Sequence, residues 1–312
     1  VNIYSIIQDV DQTIVLSTNN GLYRYNSLTF EAINSKLIGD QSLFGLEKNS
    51  KGIIYCYNLS GQIFYIKNNQ LYSFFTIPKE LLSTVVQMKI DDEDQILIYC
   101  KKLLRVSKDG KWKVLYNSIN QESSCLSKDK EGKVYFYDTQ KVYSVKGDNV
   151  KFEYEFPFKI FNLLKPYTTY KGSINFHVNT LPKGYTINDK KITEVNYKTR
   201  DDSTSNFHFF ISNSKPIIWL ASTKNGIYAY NLDGKPLFNN QLLFKDYFIS
   251  SYLEDNEGNL WMGTHDGVSR YNFKTGVYTV WRNENGKIQI QLHANCLVLF
   301  SWCHNNRSDK TA

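Results

Sequence analysis

Short runs of alternating apolar and polar residues recur along the whole chain. In residues 249–281 four such runs follow one another, and each is separated from the next by a turn. The runs are rich in Ile, Val, Tyr, Phe and Trp, and no stretch keeps apolar residues at the spacing i, i+3, i+4, i+7 over a full helix length. Each unit therefore predicts four short antiparallel β-strands, here named A to D.

The turns between the runs contain the residues that tight chain reversals require. An acidic turn that ends in glycine, as at 255–258, separates strands A and B, because Asp and Asn bond their own backbone and Gly adopts positive φ. Asn-Gly or Asp-Gly pairs, as at 20–21 and 266–267, separate strands B and C and favour hairpins. The turn chemistry thus supports the assignment of strands.

The spacing of the first turn decides the architecture. It falls at seven positions about 41 residues apart: Gln12, Gly52, Gln95, Gly132, Gly172, Pro216 and Gly258. A four-stranded repeat of this period is typical of a β-propeller blade. The sequence predicts an all-β protein, a seven-bladed β-propeller of four-stranded antiparallel blades over residues 1–281. The blades are expected at about 3–33, 44–75, 85–116, 124–155, 163–197, 207–238 and 249–281, of which the fifth is the least regular.

Residues 282–312 do not continue the repeat. Their apolar run, 294–303, is too short to span a bilayer. The segment is either a truncated, frame-shifted or disordered end, or a strand that extends the last blade. Because the chain begins directly in a strand pattern and shows no signal peptide, it is expected to be a fragment of a longer protein.

Charge and cysteine content exclude several classes of site. The net charge is +7, but acidic and basic residues alternate, and no basic stripe typical of nucleic-acid binding stands out. The five cysteines are odd in number and form no CxxC pair, so a disulfide framework or a zinc site is not expected. Cys56, Cys100 and Cys125 lie in apolar runs and are predicted to be buried free thiols.

Local matches to catalytic and metal-binding motifs are better explained as structure. Asp255, Glu257 and Asn259 alternate like calcium ligands, but the loop lacks the length and the distal bidentate Glu of such a site. Ser127-Lys128-Asp129-Lys130 fits S-x-x-K, but the match lies at the end of a strand and not at a helix start. No catalytic residue, metal site or cofactor is therefore predicted. Trp261 and Trp219 occupy equivalent strand B positions, which indicates packing.

If the propeller binds a ligand, the B–C hairpins are the expected place, since they share one face around the central channel and loops on rigid scaffolds commonly carry function. Amides, cations and one His/Asp pair there could bind sugar hydroxyls, sulfate or carboxylate. The candidate ligand-binding residues are Asn19, Asn20, Lys101, Lys102, Lys224, Asn225, His265 and Asp266.

The repeat resembles a known family. The unit at 254–271, ED-x-x-GNLW-x-GT-x-x-G-x-x-RY, is similar to the two-component regulator propeller repeat, and the first and sixth units are similar to it. The resemblance implies the periplasmic sensing part of a membrane-bound histidine kinase or hybrid two-component system of Gram-negative bacteria, often responsive to glycans. It also implies that further propeller, immunoglobulin-like and kinase domains follow in the parent chain.

The predicted function is therefore an extracytoplasmic sensing or binding propeller that is not itself an enzyme. Its expected partners are a glycan or other small ligand, the remaining domains of the parent protein and a second copy in a homodimer. Two alternatives remain open at this point. One is a propeller enzyme, a lyase or hydrolase acting on polysaccharide; the other is a dimerisation scaffold without a ligand of its own.

Overall fold

The computed structural model consists of antiparallel β-sheets arranged in a ring. It describes residues 1–33, 42–84, 86–117, 125–129, 132–138, 140–156, 164–170, 173–178, 182–188, 191–199, 207–212, 215–222, 226–240, 242–245, 247–284 and 287–294.

The first four sheets each contain four consecutive strands. Sheet 1 is formed by β1 (Ile3–Gln8), β2 (Ile14–Thr18), β3 (Gly21–Tyr25) and β4 (Phe30–Ile33). Sheet 2 is formed by β5 (Phe44–Lys48), β6 (Ile54–Tyr57), β7 (Gln62–Lys67) and β8 (Gln70–Thr76). Sheet 3 is formed by β9 (Gln87–Ile90), β10 (Ile96–Tyr99), β11 (Leu103–Val106) and β12 (Trp112–Tyr116). Sheet 4 is formed by β13 (Cys125–Lys128), β14 (Val134–Asp138), β15 (Lys141–Lys146) and β16 (Asn149–Glu155).

The remaining three sheets differ in strand number. Sheet 5 is formed by β17 (Leu164–Tyr170), β18 (Ser173–Val178), β19 (Lys183–Asn188) and β20 (Lys191–Asn196). Sheet 6 is formed by β21 (Phe207–Ile211), β22 (Ile217–Ser222) and β23 (Gly226–Asn231). Sheet 7 is formed by β24 (Ile249–Glu254), β25 (Leu260–Thr264), β26 (Gly267–Asn272), β27 (Val277–Glu284) and β28 (Lys287–Ala294). Short 3₁₀ turns lie at Lys79–Leu81 and Phe238–Asn240.

The expected all-β propeller with antiparallel four-stranded blades is present, but the prediction of seven such blades is wrong. Six sheets contain four consecutive strands, and sheet 6 has three among the described residues. The described residues after Gly234 pair with β23 through two isolated bridges, Tyr230↔Pro236 and Ile227↔Leu243. Pro236 cannot donate a ladder hydrogen bond, and positive φ at 238–240 interrupts the extended backbone. These features prevent a continuous fourth strand.

The last sheet has one strand more than the four-stranded repeat predicts. Strand β28 pairs antiparallel with β27 from Val277↔Ala294 to Glu284↔Lys287 and gives sheet 7 a fifth strand. Residues 287–294 of the segment after the repeat are thus strand, while 285–286 and 295–312 lie outside the described residues.

The hydrophobic core lies between neighbouring sheets. The first strand of every sheet contacts the first strand of the next, and β24 of the last sheet contacts β1. Each junction contains its own cluster of buried apolar side chains; at the junction of sheets 7 and 1, these include Ile3, Ile6, Trp261 and Trp281. The first strands therefore surround the central channel, and the sheets close into a ring.

Candidate functional site

The B–C hairpins of sheets 1 and 7 are built in the same way. Thr18 Oγ1 donates a hydrogen bond to Gly21 O at 2.9 Å and accepts one from Asn20 N at 2.9 Å. In sheet 7, Thr264 Oγ1 donates to Gly267 O at 3.0 Å and accepts from Asp266 N at 3.1 Å. The buried threonine fixes each reversal, so the two residues at each hairpin tip remain exposed.

Three of the predicted face residues gather where the ring closes. Asn2 N donates to Asn19 Oδ1 at 2.9 Å, and Asn2 Oδ1 lies 3.0 Å from His265 Nδ1. Asn20 Nδ2 donates to Tyr23 OH at 3.1 Å beside them. The hairpins of the first and last sheets thus form one polar surface, and Asn2 connects them although the sequence pattern did not single it out.

Aromatic rings border this polar surface. The His265 ring stacks on Phe248, with centroids 4.2 Å apart, and His208 meets the same phenyl ring edge-on at 6.3 Å. Tyr4 of β1 and Phe44 of β5 stack at 4.4 Å on the first strands of sheets 1 and 2. Amide groups beside half-buried aromatic faces can provide both hydrogen bonds and an apolar platform for a ligand.

The other predicted residues lie apart from this surface. Lys101 Nζ donates to Glu80 O at 3.1 Å, and Lys101 N donates to Leu81 O, so the sheet 3 hairpin contacts the connection from sheet 2. Lys102 O accepts from Cys100 N within the hairpin. No contact among the described residues joins these lysines to His265. Lys224 and Asn225 lie outside the described residues.

A charged cluster on the first strands was not predicted. The Glu47 carboxylate of β5 forms ion pairs with Lys89 of β9 and, at 3.1 Å, with Lys128 of β13. Burial by itself would raise the pKa of Glu47, but the two lysines together hold it below its ordinary value. Glu47, Lys89 and Lys128 each lie near the end of strand A in their sheets. An alignment of the repeats could have shown that the three residues occupy similar positions.

The acidic turn considered as a calcium site is a structural network. Asp255 Oδ1 accepts hydrogen bonds from Asn259 N at 2.7 Å and Glu257 N at 3.0 Å. Asp255 Oδ2 accepts from Trp261 Nε1 at 2.8 Å and Asn259 Nδ2 at 2.9 Å. The carboxylate is therefore occupied by protein donors. Across the described part of the chain, no group of three or more His, Cys, Asp or Glu side chains is arranged to hold a metal ion.

The remaining sequence candidates have structural surroundings. Cys56, Cys100 and Cys125 are buried and form no disulfide with one another, and burial raises the pKa of Cys56 and Cys100. Cys296 and Cys303 lie outside the described residues. Of the S-x-x-K match, Ser127 and Lys128 lie at the end of strand β13, and the motif lysine Lys130 lies outside the described residues. Within the described ranges, no helix has the length and apolar character to cross a membrane.

Comparison with known proteins finds a family that matches part of the repeat and solved structures with a similar fold. Residues 243–266 match the family described as two component regulator propeller. No curated protein matches the chain.

Among solved structures, the chain is similar to an extracellular domain named as a hybrid two component system from B. thetaiotaomicron. The identity is 16% and the TM-score 0.63, with 86% of this chain and 38% of that chain covered. The chain therefore spans well under half of that longer structure. It is also similar to virginiamycin B lyase from Staphylococcus aureus, with 14% identity, a TM-score of 0.65, and 84% of this chain and 92% of that chain covered.

At identities of 14% and 16%, the structural similarity shows the propeller fold alone. The family match over residues 243–266 identifies the repeat. Its signature residues Asp255, Asn259 and Trp261 form the buried network described above. The chain is thus a β-propeller, and its residues 243–266 match the two-component regulator propeller repeat.

Proposed function

We propose that the chain is the extracytoplasmic sensing propeller of a two-component regulator and that it binds a glycan or another small polar ligand on its B–C face. The observation that carries the proposal is the match of residues 243–266 to the two-component regulator propeller. The similar fold of an extracellular two-component domain supports it. The parent protein would then be a histidine kinase of a Gram-negative inner membrane, with this propeller on its periplasmic or extracellular side.

The chemistry of the B–C face supports a polar, hydroxyl-rich ligand. Asn19 and His265 are exposed, and both contact Asn2. Because His265 belongs to the last sheet and Asn2 precedes the first strand, the contact between them depends on the closed ring. The ring of Phe248 beside His265 offers a flat apolar surface. Lys101 and Lys102 add positive charge further round the face and favour sulfated or acidic glycans. Asn20 and Asp266 lie at the same two hairpin tips, and Lys224 and Asn225 are further candidates from the sequence pattern.

Signalling would follow from a change in how the propeller contacts its neighbours. A ligand shifts a conformational equilibrium only by binding one state more tightly than the other. The partners implied are the further propeller, immunoglobulin-like and kinase domains of the parent chain and a second copy in a homodimer.

The test is a thermal-shift screen of the 312-residue chain against neutral, sulfated and uronic-acid oligosaccharides. A ligand at 100 times its dissociation constant adds about 2.7 kcal/mol to the free energy of unfolding, which such a screen detects. We expect His265→Ala and Asn19→Ala to abolish the shift. Lys101→Ala should weaken only acidic ligands, and Lys111→Ala, in the C–D turn on the opposite face, is its matched control. A screen without any shift, or a shift that survives the three face variants, would contradict the proposal.

A polysaccharide lyase or hydrolase is the second candidate, and the shared fold with virginiamycin B lyase is the observation that favours it. Any glycan that shifts the melting temperature is therefore incubated with the protein and analysed for cleavage products. Recovery of the intact ligand favours the sensor, and product formation favours the enzyme.

A further inference from the structure

Arginines occupy equivalent positions on the third strand of three sheets. Arg24 on β3, Arg105 on β11 and Arg270 on β26 each pair with the second residue of the preceding strand. Since the three side chains start from the same place in the repeat, their partners can be compared directly.

Carboxylates neutralise the first two arginines. Arg24 Nη1 lies 2.7 Å from Asp9 Oδ2, in the A–B turn of the same sheet. Arg105 forms an ion pair with Asp148 in the C–D turn of sheet 4, and its Nη2 lies 3.8 Å from Glu93 Oε2 in the A–B turn of sheet 3. An arginine at this position thus binds acidic side chains from turns of its own sheet and of the next sheet.

The third arginine has no such partner. Asp255 is the equivalent of Asp9 in the A–B turn of sheet 7, but its Oδ2 accepts hydrogen bonds from Trp261 Nε1 and Asn259 Nδ2. The tryptophan therefore takes the acceptor that the arginine uses in sheet 1. Among the described residues, the Arg270 guanidinium has no hydrogen-bond acceptor and no carboxylate within ion-pair distance.

Two indole rings hold Arg270 in place. Its guanidinium carbon lies 5.6 Å from the Trp261 ring centroid and 5.8 Å from the Trp281 ring centroid, and the two indoles stack on each other. Contact with an aromatic face stabilises the cation but leaves its N–H groups available to an acceptor. The side chain is partly exposed, so a carboxylate from outside can pair with a guanidinium that is already positioned.

The adjoining C–D turn of sheet 1 offers an apolar side chain in place of an acid. Tyr25 meets the Trp281 ring edge-on at 5.3 Å, and its OH donates to Ser27 O in this turn at 3.1 Å. Leu28, in the same turn, is 80% exposed. The corresponding turn of sheet 4 supplies an aspartate to the arginine of sheet 3. The junction of sheets 7 and 1 therefore presents an unpaired cation and an exposed apolar turn.

We propose that Arg270 and Leu28 bind an acidic segment of a protein partner, in which Asp or Glu lies next to an apolar residue. The partner's carboxylate takes the position that Asp9 and Asp148 take at the other two arginines. The net charge of +7 favours an acidic partner over a second copy of this chain. This surface lies on the side of the A–B and C–D turns, opposite the B–C hairpins, and does not depend on the ligand proposed there.

The test measures the binding of two labelled hexapeptides with blocked ends to the 312-residue chain by fluorescence anisotropy. The acidic peptide is Gly-Leu-Glu-Glu-Leu-Gly, and its neutral counterpart is Gly-Leu-Gln-Gln-Leu-Gly. We expect the acidic peptide to bind about tenfold or more tightly than the neutral one, because its hydrogen bonds are charge-assisted. Arg270→Gln should remove this difference. Lys274→Gln, at an exposed position in the C–D turn of sheet 7, is the matched control and should change either affinity by less than about threefold.

Two further variants make each outcome decisive. Leu28→Ser leaves the cation in place and should weaken both peptides by about threefold. If Arg270→Gln does not fold, Arg270→Lys takes its place, because it keeps the charge but lacks the planar fork; weaker binding of the acidic peptide supports the site, and unchanged binding overturns it. Equal affinity of the wild-type chain for the two peptides, no binding of either, or wild-type affinity of Arg270→Gln for the acidic peptide would also overturn the proposal.

Discussion

At the residue scale, the repeat motif is explained by one buried carboxylate. Asp255 accepts hydrogen bonds from two backbone N–H groups and two side chains, and Asn259 and Trp261 are almost fully buried. The sequence predicted an acidic turn and a packed tryptophan there. It did not predict that the two are joined, since Asp255 and Trp261 lie on opposite sides of the turn and meet only when β24 pairs with β25.

Loss of this carboxylate should weaken the last sheet. Asp255→Ala leaves Trp261 Nε1 without its acceptor in a buried site and removes one of the two acceptors of Asn259 Nδ2. We expect the free energy of unfolding to fall by about 2–4 kcal/mol. Urea denaturation followed by circular dichroism measures this. Asp233→Ala, in the exposed turn of sheet 6, is the control and should change stability by less than about 0.5 kcal/mol. Equal effects of the two substitutions would show that the network does not stabilise the fold.

At the scale of the strands, charge links the channel-lining strands of three sheets. Glu47 lies on β5, Lys89 on β9 and Lys128 on β13, and the carboxylate is largely buried between the lysines. Sequence reasoning located strand A in each unit but could not place these side chains together, because the contact runs between sheets and not along the chain.

This cluster should make stability depend on pH. The pKa of Glu47 is lower in the folded chain than in the unfolded chain, so its stabilising effect is complete above the unfolded value of about 4.3. The effect is lost as the pH falls through the folded value. We expect Glu47→Gln to be less stable than wild type by about 1.5–3 kcal/mol at pH 7 and the difference to narrow below about pH 4.

Urea denaturation at pH 7, 5, 4 and 3 measures that difference. A Lys89→Met background lacks one of the two cations. In that background, the pH-dependent part of the stability difference caused by Glu47→Gln should be smaller. A wild-type advantage that stays constant from pH 7 to pH 3 would rule out the ion pairs as its source.

The irregular edge of sheet 6 depends on a glycine at the start of β23. Gly226 has φ +108°, and an added Cβ would fall on the backbone oxygens of Leu243 and Phe244. Gly110 also has positive φ, +78°, but open space around its Cα. Gly226→Ala should therefore cost about 2–5 kcal/mol, from both backbone strain and overlap, and Gly110→Ala only about 1–2 kcal/mol from strain. Thermal unfolding measures the loss of stability in each of the two variants. Similar losses for Gly226→Ala and Gly110→Ala would mean that the segment around 242–244 does not pack tightly on β23.

At the scale of the whole molecule, ring closure is maintained by aromatic and aliphatic packing between sheets 1 and 7. Trp261 meets Tyr25 of sheet 1 edge-on at 5.4 Å, and Ser250 Oγ donates to Ile3 O across the same junction. Asn256 N also donates to Gln8 Oε1 at 2.8 Å. These contacts join residues almost 250 positions apart in sequence, so they hold the two ends of the propeller together.

Removing the central side chain of this junction should destabilise the entire ring. Trp261→Ala deletes a fully buried indole and leaves a cavity, with an expected loss of about 3–5 kcal/mol. Trp112→Ala, at an exposed position on β12, should cost less than about 1 kcal/mol. Chemical denaturation followed by circular dichroism provides the comparison. A loss for Trp261→Ala no larger than that for Trp112→Ala would show that closure does not depend on this packing.

The residue pattern was enough to predict the class of fold, the similarity of the repeat to a known family and the chemistry of the turns. This was possible because strand alternation and turn preferences act over a few residues and recur with a fixed period. Other features became visible only in the folded chain: the three strands of sheet 6 among the described residues, the five strands of sheet 7, the contact of Glu47 with two lysines, and the position of Asn2 between Asn19 and His265. Each of these depends on contacts between residues far apart in the chain, whose positions are fixed by the packing of sheets around the ring.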